Sequence, residues 1–303
     1  MKKSLIVFFL LSVCFSYLNP LRGQVEAANY PFDTLSTYKI EMYDYSEFIG
    51  TFLYKDTTII AIKTRSIPKI EMPIQNIKKI TLVDPLNIRK GVYWFPNPNA
   101  TRYLFGPTAF TFKKGEGYYQ NTNLVLNSFN VGVTDNLSIG GGFEILSLLE
   151  GSGVPVFYLT SKVGKKVEEK FHLGGGLLFV SYPKYLLYVD KQKRRGAGIL
   201  YGIGTYGTLD NNVTGGMGWG FVSGNFQKKP FITLSGMTRV ARRMGLVSEN
   251  LFFPKNDGYN FIISYGIRFF GKKMTVDLAF LNDGDAASYF VLGFPYADFV
   301  VKF

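Results

Sequence analysis

The sequence predicts an all-β protein: an antiparallel β-barrel with a lipid-facing outer surface, built of about twelve strands (ten is the alternative count), preceded by a small β-domain. Three observations carry this. The 303-residue chain is 47 % hydrophobic and 17 % aromatic with 33 glycines, a mixture that suits twisted sheets, tight corners and interfacial girdles better than helices. From Ala100 onward, segments of regular length alternate large apolar residues with small or polar ones and are separated by turn residues; in a soluble sandwich the outward face would be polar. The last stretch, SYFVLGFPYADFVVKF (Ser288 to Phe303), ends on an aromatic in strict register: Ala297, Phe299, Val301 and Phe303 share one face, and Tyr296, Asp298, Val300 and Lys302 the other. A closing barrel strand has such an apolar outer face and a mixed inner one.

Taken in order, residues 1–23 read as a secretory signal peptide, with Lys2 and Lys3 before the apolar run SLIVFFLLSVCFS and a cut after Gly23. The alternative is lipoprotein processing at Cys14, where LSVC approaches a lipobox but places Val13 at the position that favours a small residue. With the first cut the mature chain holds no cysteine, which excludes disulfides and thiol chemistry. Beyond the signal no run reaches 18 apolar residues, so a membrane-spanning helix is excluded on length. The formal charge of +12 falls to about +9 once Lys2, Lys3 and Arg22 leave with the signal. The remaining basic clusters, Lys191 to Arg195 and Arg242–Arg243, sit beside expected turns and suit anionic headgroups; an exported chain does not meet nucleic acid.

Residues 24–36 read as an unstructured leader. A small domain follows over 37–84, with strands expected at Thr37–Met42, Phe48–Lys55, Thr58–Thr64, Lys69–Pro73 and, after a short turn Ile74–Asn76, Ile77–Val83. Its acidic turn at Asp44, Gly50 in a bent second strand, and the run from Met72, Pro73 and Ile74 to Ile77 resemble the small SH3-like or LSm-like barrel. That resemblance implies five strands and a periplasmic protein or peptide as possible partner, with no site residues carried over. Residues 85–99, rich in Pro and Asn, read as a linker in which Tyr93 and Trp94 would be interfacial anchors.

The barrel is expected over 100–303, its first strand at Ala100–Phe112 and its last ending at Phe303. Outward faces are expected for Phe129, Val131 and Val133; Leu137, Ile139, Phe143 and Ile145; Ile199, Tyr201 and Ile203; Val213, Met217, Trp219 and Phe221; and Phe261 through Phe269 at every second position. Five short connections near Asp135, Lys165–Glu169, Asp210–Asn212, Arg242–Gly245 and Gly271–Lys273 define one rim, and six longer ones, beginning with Lys113–Tyr118, the other. Pro295 is expected to break the last strand, leaving Tyr296 to Phe303 regular. The opposite phase turns Glu144, Lys162, Arg239, Arg268, Asp277 and Asp298 into the lumen, where mixed signs favour a plug-like paired network over an ion path.

The stretch Asn99 to Asn121, the alternation and the terminal Phe303 resemble integral outer-membrane β-barrel proteins of Gram-negative bacteria with a small periplasmic β-domain in front. The resemblance implies outer-membrane lipid as surroundings and the barrel-assembly machinery as reader of Phe299, Val301 and Phe303. No catalytic, cofactor or metal motif stands out. Gly140–Gly142 and Gly174–Gly176 lack the lysine and helix start of a phosphate loop. His172 is the single histidine, so a histidine metal cluster is excluded, and Ser161 or Ser138 beside His172 is the one serine-nucleophile pairing to weigh. The expected function is non-enzymatic, as a small-solute channel or an anchored structural component. A membrane-embedded lipid hydrolase or acyltransferase, or a soluble exported lipid-binding β protein, are the alternatives.

Overall fold

The computed structural model describes residues 30–149, 156–183, 194–255, 258–283 and 292–303; the signal-peptide reading, the Cys14 alternative and most of the basic run Lys191 to Arg195 lie outside them. The chain divides into two compact units, one ending at Trp94 and one beginning at Phe95.

The first unit is a five-stranded antiparallel sheet of β1 (Thr37–Met42), β2 (Glu47–Lys55), β3 (Ile59–Lys63), β4 (Ile70–Pro73) and β5 (Ile77–Leu82), ordered β4-β3-β2-β1-β5. A 3-10 turn at Ile74–Asn76 joins β4 to β5, at the short turn the residues predict. Strand alternation turns Tyr38, Ile40, Met42, Ile60, Ile62, Met72, Ile77 and Ile80 into one core. A Cβ at Gly50 would lie 2.4 Å from the Lys63 carbonyl oxygen, so only glycine permits this close approach of β2 and β3. Part of the expected leader is not free: Phe32 stacks on Phe52 at 4.4 Å and meets Tyr38 edge-on at 5.0 Å. The expected linker is structured as well, with β6 (Ile88–Arg89) and β7 (Val92–Tyr93) forming a hairpin and the Arg89 guanidinium over the Trp94 ring at 4.2 Å.

The β2–β3 turn supplies a pH prediction. The Asp56 carboxylate accepts from Thr58 N at 2.6 Å, Ile59 N at 2.8 Å and Thr58 Oγ1 at 2.9 Å. These bonds, the Thr58 amide foremost, hold its carboxyl below the usual carboxylate range. A depressed folded-state value stabilises the turn above the unfolded carboxyl value of about 3.9. That contribution is lost as pH falls through the lower folded one. Protection factors at the Thr58 and Ile59 amides are expected to drop across that acid window, and Asp56→Ala to remove the pH dependence.

The second unit is a closed antiparallel barrel of twelve strands: β8 (Gly117–Thr122), β9 (Leu126–Gly132), β10 (Leu137–Glu144), β11 (Phe157–Lys166), β12 (Phe171–Pro183), β13 (Arg194–Gly207), β14 (Asn211–Val222), β16 (Phe231–Ala241), β17 (Met244–Lys255), β18 (Gly258–Phe270), β19 (Met274–Asp283) and β20 (Phe294–Lys302). A two-residue ribbon, β15 (Asn225–Phe226), branches from β14. Each barrel strand pairs with the next, and β20 returns to β8 through Asp298↔Thr122 to Lys302↔Tyr118. Gly117 and Phe303 seal the seam by exchanging backbone hydrogen bonds at 3.1 and 2.9 Å.

The strand count agrees with expectation while the first strand does not. Ala100–Phe112 is no wall strand. The missing wall comes from splitting the segment after Gly117 in two: Asn123 and Leu124 adopt φ of 49° and 63°, a left-handed turn that the amide-bearing Asn tolerates and a Leu rarely enters. Pro295 also fails to end β20, which pairs through Phe280↔Pro295 and Leu281↔Phe294. β8 stops at Thr122, opposite Asp298, so on that flank no ladder exists for the missing N–H to interrupt.

Outside, Phe129, Ile139, Val213, Met217, Trp219 and alternate residues from Phe261 to Phe269 are exposed apolar side chains, the belt the alternation predicted. One strand is reversed. In β13 it is Leu200 and Tyr206 that face out, whereas Ile203 and Thr205 are buried inside, with Ile199 and Tyr201 on the same inner side. The larger-residue-outward rule fails there because this sector of the interior is itself apolar.

Candidate functional site: a plugged lumen and the cup above it

Residues 95–112 occupy the barrel interior. Phe95, Asn97, Asn99 to Leu104, Thr108 to Phe110 and Phe112 are buried there. At the centre lies a small hairpin, with an Arg102↔Pro107 bridge, Tyr103 N donating to Gly106 O at 2.9 Å, and Thr108 N to Thr101 O at 3.0 Å. A hairpin with a short polar backbone periphery leaves peptide groups unpaired in a dry space, and each must find a partner on the wall.

The wall supplies them with buried charges. The Glu249 carboxylate on β17, fully buried, accepts the Leu104, Phe105 and Gly106 amides at 3.0, 2.8 and 2.7 Å; a Cβ at Gly106 would come within 2.6 Å of its Oε1. The Lys162 ammonium on β11 donates to the carbonyls of Thr101, Thr108 and Phe110 at 3.0, 2.9 and 2.7 Å, using all three of its protons. Arg268 on β18 makes a two-pronged pair with Asp277 on β19, both bonds 2.7 Å, and spends its remaining donors on Asn99 O, Arg102 O and Tyr103 O. Arg102 of the plug pairs with Asp298 on β20 at 2.7 Å and donates to Leu104 O. Arg239 on β16 meets Asp210 at 3.1 Å, bonds Phe95 O at 2.8 Å, and lies between the Phe95 and Phe270 rings at 4.8 and 4.6 Å. Tyr103 and Asn99 tie the plug to β14 and β19 through Asn212, Thr214 and Thr275. A Cβ at Gly164 would sit 2.5 Å from Ala109 O, so glycine on β11 makes room for the plug backbone.

Of the residues singled out from sequence, Lys162, Arg239, Arg268, Asp277 and Asp298 are buried inward and act together, each in contact with the plug or with a partner that is. Glu144 shares the inner phase of β10 but stands apart from the plug, accepting from Val156 N at 3.4 Å. Phe299 and Phe303 are exposed outward, with Val301 half-buried on the same face. Sequence reading missed Glu249, Arg102 and Asp210. Glu249 carried a signal, a lone carboxylate at an alternate position after Val247. Ser161 shares the outward phase of Leu159 and Val163, Ser138 lies opposite Lys162, and His172, opposite Lys166, meets the Phe110 ring at 4.7 Å. Neither serine meets the histidine.

On the long-connection side of the plug is a cavity of about 400 Å³. Its floor is the plug hairpin at Thr101, Arg102 and Phe105 to Pro107. The wall from β8 to β11 is mainly hydroxyl and amide (Gln120, Thr122, Ser128, Asn130, Ser138, Tyr158, Thr160), with Leu126 and Lys162 beside them. The wall from β12 round to β17 is mainly apolar (Leu178, Val180, Ile199, Tyr201, Ile203, Phe231, Leu251, Phe253).

No known protein family profile matches the chain, and no curated protein does. Among solved structures it is similar to the KdgM porin in complex with disordered oligogalacturonate, at 9 % identity and a TM-score of 0.40 over 62 % of this chain and 95 % of that one. It is also similar to outer-membrane-expressed OmpT of Vibrio cholerae, at 10 % identity and a TM-score of 0.34 over 90 % and 99 %. At these values the likenesses carry no argument, and the architecture rests on the closed strand register: a twelve-stranded antiparallel barrel.

Proposed function

We propose that this protein is an integral outer-membrane β-barrel of a Gram-negative bacterium that stands closed at rest and anchors its small N-terminal domain, a non-enzymatic component and not an open solute channel. The observation that carries the reading is the occupation of the lumen by residues 95–112, held by buried charges from β11, β16, β17, β18 and β20. The exposed apolar belt supports membrane residence, since an apolar surface of that extent is costly in water and suited to hydrocarbon. An even strand count brings the start of β8 and the end of β20 to the short-turn rim, the periplasmic side in barrels of this type. Phe299, Val301 and Phe303 on the outer face of the closing strand suit recognition by the barrel-assembly machinery. In the small domain, β4 and β5 are sheet edges able to accept an extended periplasmic peptide or protein segment by strand addition.

The refolded full-length protein is expected to be electrically silent in planar bilayers while showing heat-modifiable gel mobility. Stable conductance steps from folded, unmodified protein would overturn the closed reading.

A further inference from the structure

We infer that the cup above the plug is a binding site for an uncharged amphiphile, a medium-length aliphatic chain carrying a hydroxyl-rich head. The inference rests on the plugged, membrane-resident barrel of that reading, since the plug is the floor of the cup, and adds an occupant to it. The cavity, about 400 Å³, falls within the range of small-molecule sites, roughly 300–1,000 Å³. Its two walls differ in chemistry by sector, so an occupant gains from having one apolar flank and one hydrogen-bonding flank.

In the apolar sector the branched aliphatic side chains Leu178, Val180, Ile199, Ile203 and Leu251 outnumber the aromatic ones, Tyr201, Phe231 and Phe253, and two of those rings, Phe231 and Phe253, stack on each other at 6.3 Å; the aliphatic majority matches a hydrocarbon chain. On the polar sector one group is left over. The Ser138 hydroxyl is buried, lines the cavity and has no hydrogen-bond partner. Its neighbours are engaged: Ser128 bonds Gln120, and Thr160 bonds Asn130. A buried hydroxyl without a partner costs stability that a ligand hydroxyl can recover.

Charge decides the head. Lys162, Arg102 and Glu249 all border the cavity, yet Lys162 spends its three protons on plug carbonyls, Glu249 is held by three amides, and Arg102 is paired with Asp298. The positive Lys162 and negative Glu249 offset one another. An entering carboxylate or ammonium would give up its hydration and find no free opposite charge, whereas a hydroxyl head needs only Ser138 and the amide-lined wall.

The test uses full-length protein in lipid nanodiscs, titrated with 1-decanoylglycerol, decanoate and decyltrimethylammonium. Saturable one-to-one uptake is expected for 1-decanoylglycerol, at least tenfold tighter than for either charged probe. Ser138→Val should weaken it about fivefold, and Ile199→Trp, which fills the cup, should abolish it. A diazirine analogue of 1-decanoylglycerol separates the cup from bulk lipid without any variant: saturable labelling should fall on inward Leu178, Ile199 and Tyr201 and not on outward Leu173, Leu200 and Trp219. Absence of saturable uptake, equal or tighter binding of a charged probe, or labelling confined to the outward set would each overturn the inference.

Discussion

Arg268→Ala is expected to be the most damaging single substitution in the barrel. The side chain is wholly buried, pairs with a wholly buried Asp277, and anchors three plug carbonyls. Truncation leaves the Asp277 carboxylate without a counter-charge in a low-dielectric interior, a loss of about 3–5 kcal/mol, and releases the plug backbone besides. The expected result is a clear fall in the urea midpoint of the heat-modifiable form. Charge isolation and lost packing separate in a second variant. Replacing both partners, Arg268→Met with Asp277→Leu, removes the stranded charge and should recover much of the loss. If the single and double variants are equally destabilised, the pair is not what holds this sector together.

Excising Asn97 to Ala109 is expected to convert a silent barrel into a conducting one. Those residues carry the hairpin that Glu249, Lys162 and Arg268 grip, and the twelve wall strands close through their own ladder without them. Once the plug is gone, Asp298 loses Arg102 and Glu249 loses its three amides, so two carboxylates face the single ammonium of Lys162 in a water-filled lumen. Stable conductance steps with a preference for cations should follow, and Glu249→Gln in the excised background should reduce that preference. An excised protein that folds, inserts and stays silent would mean that the lumen is shut by something other than the plug.

The barrel was legible because its physics repeats: the wall strands alternate an apolar outer face with an inner one, so the period-two signal recurs along the chain. The same rule located five buried charges by phase alone. It failed where a segment alternates without being wall. Ala100 to Phe112 looks like a strand since a hairpin packed inside a barrel also alternates, and nothing local distinguishes a lumen from a bilayer. That misreading hid Arg102, and with it the partner of Asp298. The faces of Ile199, Tyr201 and Ile203 were inverted for a related reason: an apolar cup lining and an apolar belt use the same residues. The turn at Asn123 and Leu124 was missed because a Leu at positive φ announces nothing.

The wall is far from uniform in height. β12 and β13 are 13 and 14 residues long, while β8 and β9 beside the seam have 6 and 7. At about 3.4 Å per residue and a tilt of about 40°, six residues rise only about 16 Å, well short of an apolar band about 25 Å tall. The outer surface there agrees: Asn121 and Tyr119 both hydrogen-bond Asn127, a polar patch at the level where a taller strand would still be greasy. If the barrel sits in a bilayer as proposed, lipid beside the seam would thin or tilt to meet it, at fractions of a kcal/mol per Å of mismatch. In the membrane setting proposed above, the barrel would impose an elastic dent on one side of its bilayer annulus, which would draw short-chain lipids and mismatched neighbours toward the β8–β20 seam and give a cylindrical fold a directional footprint in the membrane plane.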